Sequence, residues 1–375
     1  MAARSAARLI PGAAGIVALA AGLWTSLARL GFEVEGVQSL NHGPLMVGGF
    51  IGTIIALERA VALGRPWGYA GPALGAVAAV MLLFSAPYQA AAVPLFLSSL
   101  VLLATFAVFI KRGAADFTVI MAVGALAWTV GNGLLLSGWL IPHVVPWWAG
   151  FLILTIAGER IEMSRVRPRP PWARRFTHTL VGLYAAALFL TLVDHDLGVR
   201  AGGVTLIALC LALAHGDVAR WTRRSQGVAR YAAYSILSGY AWLALSGLLA
   251  AVFGQPLGGL HYDAWTHSVF VGFVMVMIMA HAPIILPAVA GIAVAFSRWM
   301  YVPVILLQAS LVLRIAADLM SWWSGRQWTG LLNVVAVVLF LAVMVRGALR
   351  ARRAAGAQAQ PQPAGSPATL VPVKE

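Results

Sequence analysis

The chain has 375 residues, of which 61% are hydrophobic and only 10% are charged. A soluble domain carries about 25% charged residues, so this composition excludes a soluble globular protein. The formal net charge of +14 does not indicate nucleic-acid binding, because the arginines lie in short loops between apolar runs, as topology signals do in membrane proteins. The single cysteine, Cys210, excludes an internal disulfide and a cysteine-based metal site.

Apolar runs of about 20 residues follow one another along the chain, and each is long enough to cross a bilayer as a helix. They predict an all-α polytopic membrane protein with about twelve transmembrane helices. The predicted spans are 9–30, 42–63, 68–86, 90–110, 117–139, 143–164, 176–194, 198–216, 231–253, 264–284, 300–320 and 329–348. The first run is too long and too poorly ended for a cleavable signal peptide.

These spans are expected to form one transmembrane domain over residues 1–353. The basic residues alternate between connections, which places both termini in the cytoplasm by the positive-inside rule. The segment 354–375 is rich in Pro, Ala and Gln and is predicted to be a disordered cytoplasmic tail.

One pattern recurs on the second, sixth and tenth predicted helices. A histidine near the outer end is followed by a Gly-Phe pair and, near the inner end, by Glu-Arg or a second histidine. The copies lie at 41–59, 142–160 and 267–281. A marked helix at every fourth position predicts three four-helix arcs around a pseudo-threefold axis, with repeat units of about 1–110, 117–216 and 231–348.

The outer ends of these copies carry His42, His143 and His267. All three marked helices run in the same direction, so the imidazoles are expected near the outer surface. Neutral imidazole binds haem iron and copper, and three imidazoles at one depth predict a metal site. The alternative is that each histidine caps its helix, because Pro44 and Pro142 are typical of a first helical turn.

The inner ends carry Glu58, Glu159 and His281. Ionisable groups inside a membrane are costly and are functional candidates. A cofactor-binding role is predicted for the two glutamates, and a metal- or proton-binding role for His281. The alternative is a local Glu-Arg ion pair at each helix end.

Arg314 lies four residues before Asp318 on the eleventh predicted helix, so their side chains are adjacent on one face. Arg314 is predicted to bind a haem propionate through a charge-assisted hydrogen bond. The alternative is that Arg314 and Asp318 neutralise each other. Gly48, Gly49 and Gly52 permit close approach of either a neighbouring helix or a flat macrocycle.

Three segments resemble the NnrS family, whose members look like relatives of the haem-copper oxidase core subunit. They are HGPLMVGGFIGTIIA, THSVFVGFVMVMIM and LTIAGERIEM. The resemblance implies a haem-copper-oxidase-like layout and a haem- and copper-containing bacterial inner-membrane protein linked to nitric oxide and denitrification stress. It also implies a diatomic gas ligand and a redox partner.

The chain departs from these relatives in its metal ligands. It lacks the His-x-His pair and the copper-holding histidine trio of the oxidase core, and Glu159 interrupts the Gly-Arg pair of the family's central segment. Haem bound by two of His42, His143 and His267 is therefore expected in preference to copper. The absence of a CxxCH motif excludes a covalent c-type haem in this chain. A non-covalent haem, of b type, is expected.

Three functions are consistent with these observations. The first is a haem-binding membrane protein that senses, binds or turns over a diatomic gas, or passes electrons. The second is a proton-coupled secondary transporter with Glu58, Glu159 and His281 as its relay. The third is a non-catalytic assembly factor for a haem or copper enzyme.

Overall fold

The structure is a computed structural model that describes residues 2–36, 38–167, 169–254 and 257–358. These residues form twelve long helices and no β-strand. Ten of the helices are regular: α1 (Ala2–Arg29), α3 (Ala70–Leu83), α4 (Tyr88–Arg112), α5 (Asp116–Leu136), α6 (Ile141–Met163), α7 (Pro171–Leu190), α8 (His195–Gly216), α9 (Gly227–Phe253), α11 (Tyr301–Leu319) and α12 (Trp323–Gln358). Short helical turns lie in the connections at Pro66–Tyr69, Ser164–Val166, Ala219–Thr222 and Arg298–Met300.

The remaining two helices, α2 and α10, each contain a π-helical segment. In α2 a short turn, Ser39–Asn41, leads into the π-helix Pro44–Gly52 and the α-helix Thr53–Leu63. In α10 the α-helix Gly259–His267 leads into the π-helix Ser268–Met275 and the α-helix Val276–Ala290. The π-helix is rare in proteins and is found mostly as single turns at functional sites.

Eleven of the twelve helices are long and apolar enough to cross a membrane, which confirms the predicted polytopic all-α class. The twelfth is α7, which occupies the predicted span 176–194 but falls short of the apolar character of the others. Arg174, Arg175 and His178 lie in its first half and leave only its second half continuously apolar.

The three helices that carry the sequence repeat lie inside the bundle. Consecutive helices pack on one another along the chain, and α12 closes the bundle against the end of α1, where Phe32 contacts Trp328. Within their apolar spans, 83% of the residues of α6 and 61% of those of α2 and of α10 are buried, the highest fractions among the eleven spans. The repeat therefore lies on the three most buried of these spans, which we call the central helices.

Glycines of α2 allow neighbouring helices to approach its backbone. A Cβ atom added at Gly49 would lie 3.1 Å from Ala18 on α1 and 3.2 Å from Ala79 on α3, and one added at Gly52 would overlap the ring of Trp128 on α5. These glycines therefore serve helix packing, which is the common role of small residues in membrane bundles, rather than contact with a flat macrocycle.

Helix α12 continues through Gln358. Residues 354–358 of the predicted disordered tail are therefore helical, and 359–375 lie outside the described residues.

Candidate functional site

A cavity of about 410 Å³ lies among the central helices at the predicted outer end of the bundle. We call it the outer cavity. Most of its wall is apolar and includes Met46, Val47, Ile51, Val271, Met275 and Trp148. The histidine, aspartate and arginine side chains of its wall are His42, His267, Asp263, Arg29, Arg314 and Arg326. Two of the predicted ligand histidines and the predicted propionate-binding arginine are thus brought together.

His42 is held by the backbone of α1. Its Nδ1 lies 2.9 Å from the carbonyl oxygen of Gly22, so Nδ1 carries the proton and donates it to that oxygen. In the neutral ring the lone pair then lies on Nε2, which has no hydrogen-bond partner among the described residues. A hydrogen bond from the other ring nitrogen is how proteins orient an imidazole for metal binding.

His267 is oriented in a similar way but has a second polar neighbour. Its Nδ1 lies 2.9 Å from the carbonyl oxygen of Asp263, one helical turn earlier. Its Nε2 lies 3.2 Å from Nη2 of Arg314. A ligand can therefore bind Nε2 of His267 only if the Arg314 guanidinium gives way.

The guanidinium of Arg314 binds Asp263 rather than Asp318. Its Nε and Nη2 donate to the two carboxylate oxygens of Asp263 at 2.9 and 3.0 Å, and Arg326 adds a third hydrogen bond to that carboxylate at 3.2 Å. The side chain of Asp318 is fully buried, and its Oδ1 lies 3.5 Å from Nε of Arg326. The predicted alternative, an Arg314–Asp318 pair, is wrong because the α10 carboxylate lies closer to the guanidinium.

His143 does not reach the outer cavity. Its ring packs beside His195 at the start of α8, with 4.6 Å between ring centroids, and edge-on against Trp139. No group of three or more His, Cys, Asp or Glu side chains within the described chain is placed to hold a metal ion. The predicted ring of three imidazoles is therefore absent from these residues, because α6 turns its histidine toward α8.

The inner ends of the central helices meet in a second polar group, which we call the inner cluster. Arg59 of α2 bridges Glu58 of its own helix at 3.3 Å and Glu159 of α6 at 2.5 Å. Neither glutamate lines the outer cavity. Glu58 and Arg59 thus form the local ion pair that was the predicted alternative, and Arg59 also joins α2 to α6 through Glu159.

Arg160 forms the other half of the inner cluster. It donates to both carboxylate oxygens of Asp217 at 2.9 and 2.7 Å, and its Nη1 lies 3.0 Å from Nε2 of His281. Nδ1 of His281 lies 2.7 Å from the carbonyl oxygen of Met277. Both ring nitrogens of His281 are therefore engaged, and the predicted metal-binding role does not fit its surroundings.

The carboxylate of Asp217 lies just beyond the apolar span of α8. Burial alone would raise its pKa. The hydrogen bonds and the positive charge of Arg160 lower this pKa, and so do hydrogen bonds from the amide of Ala219 and the hydroxyl of Tyr240. These effects outweigh burial and hold the pKa of Asp217 below its usual value. Asp217 therefore remains charged against Arg160.

The donor set of the outer cavity fits haem better than copper. A copper centre often uses several imidazole or sulfur ligands on one ion, and the described residues offer no group of three His, Cys, Asp or Glu side chains. Haem needs one imidazole, an apolar wall and cations for its two propionates. His42, the apolar lining and the exposed Arg29 at the cavity meet these needs.

Sequence reasoning missed Asp263, Arg326 and Asp217. Asp263 precedes His267 by four residues, a spacing that places both on one helical face and offers a usable signal. Arg326 and Asp217 reach their partners from sequence-distant helices, and no local spacing indicates those contacts.

Comparison with curated proteins and with solved structures gave no match. A family model described as "Domain of unknown function (DUF8744)" matches residues 8–349, which includes all of the outer cavity and the inner cluster. The chain therefore belongs to the DUF8744 family.

Proposed function

We propose that the protein is a haem-binding protein of the bacterial inner membrane, with a non-covalent b-type haem in the outer cavity. The resemblance to the NnrS family supports a role in nitric oxide and denitrification stress or in membrane redox chemistry. The distribution of basic residues supports cytoplasmic N- and C-termini.

The orientation of His42 is the observation that carries this proposal. The Gly22 carbonyl fixes the proton on Nδ1 and so leaves Nε2 as the lone-pair atom of a neutral ring lining the cavity. We propose that Nε2 of His42 would hold the haem iron. A structural histidine that only capped α2 would not need its ring anchored to the neighbouring helix.

The other ionisable groups of the cavity receive secondary roles. Arg29 would supply positive charge for a propionate, whereas Arg314, for which that role was predicted, is held by Asp263. His267 and Arg314 contact each other and add hydrogen-bonding groups to the wall of the same cavity. Bound in this cavity, haem would supply a centre that binds a diatomic gas or carries one electron at a time.

Proton-coupled transport has less support. A relay needs side chains that can exchange protons and change partners. Arg59 bridges Glu58 and Glu159, and Arg160 and Met277 occupy both nitrogens of His281. The copper and assembly-factor readings receive no specific support from the outer cavity.

The test is the absorption spectrum of protein purified from haem-replete cells. We expect a Soret band in the wild type and in His143→Ala, whose ring lies outside the cavity. We expect His42→Ala to lose most of the band, because no other neutral imidazole in the cavity has a free Nε2. A wild-type protein without a Soret band, or a band unchanged in His42→Ala, would refute the proposal.

A further inference from the structure

A second cavity, of about 370 Å³, lies between α1, α3 and the connection that precedes α2. We call it the lateral cavity. Val17 and Trp24 of α1 and Leu83 of α3 line it and are 50%, 52% and 43% exposed on the outside of the bundle, where lipid is expected. Its polar lining, including Glu35 and Asn41, lies at the outer end. This combination fits an amphiphile that enters from the bilayer with its head toward the membrane surface.

Asn41 gives the lateral cavity an unsatisfied hydrogen-bond acceptor. The residue is 1% exposed, and its Nδ2 donates to the carbonyl oxygens of Leu82 at 3.2 Å and Ala86 at 3.4 Å. These two acceptors fix which side of the amide carries the NH₂ group. Oδ1 has no hydrogen-bond partner among the described residues. Buried acceptors without a partner are rare and costly, so this atom favours a ligand that brings a donor.

The charge around the lateral cavity selects against an anionic headgroup. The outer connection carries Glu33 and Glu35 and has no lysine or arginine between Gly31 and Asn41. An anionic phospholipid would meet like charge there. A neutral hydroxyl would instead find both the Asn41 oxygen and a carboxylate as acceptors.

We propose that the lateral cavity binds the headgroup of a membrane quinol, with one ring hydroxyl donating to Oδ1 of Asn41. A quinol combines neutral hydroxyl donors with a flat ring that can pack against Trp24 and an apolar tail that can follow α1 and α3 into the bilayer. Asn41 and His42 are consecutive, so the lateral and outer cavities share the start of α2. Quinol binding does not depend on haem in the outer cavity.

The test compares a short-chain benzoquinol with the matching benzoquinone on full-length protein in nanodiscs, under anaerobic conditions, by titration calorimetry. We expect the quinol to bind about tenfold more tightly, because quinone carbonyls cannot donate to Oδ1 and one neutral hydrogen bond is worth about that ratio. We expect Asn41→Leu to abolish this preference.

A second variant keeps the test informative if Asn41→Leu does not fold. Ala20 is exposed on α1 and lines the lateral cavity, so Ala20→Phe should fill the cavity without touching its polar groups. We expect it to remove binding of both forms, and we expect Ala13→Phe, at an exposed position of α1 outside the lining, to bind as the wild type does. Equal affinity for quinol and quinone, unchanged binding in Ala20→Phe, or full displacement of the quinol by a long-chain alcohol would overturn the proposal. His42→Ala should leave quinol binding intact, which separates this outcome from the haem test.

Discussion

Two buried arginines at opposite ends of the bundle each make a bidentate contact with one aspartate. Arg160 is 4% exposed and binds Asp217, and Arg314 is 6% exposed and binds Asp263. A bidentate guanidinium–carboxylate pair fixes direction as well as distance. Removing one partner of such a pair leaves an uncompensated buried charge and typically costs about 3–5 kcal/mol. These pairs therefore hold the ends of the central helices in register.

The pH dependence of stability should reveal the Asp217 pair. Because folding lowers the pKa of Asp217, its contribution is present above the unfolded value of about 4 and is lost as the pH falls toward the folded pKa. In detergent, we expect Asp217→Asn to have a much lower unfolding midpoint than the wild type at pH 6, measured by intrinsic tryptophan fluorescence. The difference should shrink below about pH 4. A difference that is constant from pH 6 to pH 3 would contradict this assignment.

The sequence identified part of the outer cavity. His42, His267 and Arg314 all line it, as their types and positions in the apolar spans indicate. His143 occupies the same position of the repeat as His42 and His267, but its ring lies beside His195 instead of the cavity. A repeat predicts which helices are equivalent, whereas the direction of a side chain depends on local helix geometry. Of the groups that contact Asp263, His267 is close in sequence, whereas Arg314 and Arg326 come from the distant helices α11 and α12.

At the scale of elements, a π-helical segment is present in the two copies of the repeat that line the outer cavity, on α2 and α10, and absent from the copy on α6. The π-helix of α2 begins two residues after His42, and that of α10 begins directly after His267. Helix α6 is regular and directs His143 away from the cavity. A wider turn changes the direction of every following side chain, so rotations calculated at 100° per residue do not apply to α2 or α10. Hydrophobic periodicity alone does not predict this.

The packing of α8 on α9 gives a prediction with a built-in control. A Cβ atom at Gly203 would lie 2.6 Å from the carbonyl oxygen of Gly247, whereas one at Gly182 would meet nothing within 4 Å. We expect Gly203→Ala to lower the free energy of unfolding by about 1–3 kcal/mol through overpacking. Gly182→Ala should be neutral or raise it by up to about 1 kcal/mol, because alanine is the better helix former.

Both glycine variants can be measured at neutral pH with a thiol-reactive dye. Cys210 is the sole cysteine of the chain and is 2% exposed, so it reacts when the bundle opens. If the two variants changed stability in the same direction and by the same amount, the close approach of α8 to α9 would not be what Gly203 permits.

At the scale of the whole molecule, the sequence predicted the number and order of the helices because each is a separate apolar run. Most boundaries shifted by a few residues, but α1 begins seven residues earlier and α12 ends ten residues later than predicted, and α7 is less apolar than its neighbours. The three central helices carry polar groups at their two ends: the outer cavity at one end and the inner cluster at the other. The orientation of the bundle in the membrane determines which side the outer cavity faces and which side the inner cluster faces.

The distribution of arginine predicts that orientation. The connection between α8 and α9, residues 217–226, carries three arginines, whereas the connection between α5 and α6 carries none. Basic loops are retained in the cytoplasm. In a Cys210→Ala background we expect Ser137→Cys to react with a membrane-impermeant maleimide on intact spheroplasts, and Ser225→Cys to react only after lysis. Both serines are exposed, so access is set by the side of the membrane. The reverse pattern would place the outer cavity on the cytoplasmic side. Labelling of both variants on intact spheroplasts would mean that one or all three of the helices α6, α7 and α8 fail to cross the membrane.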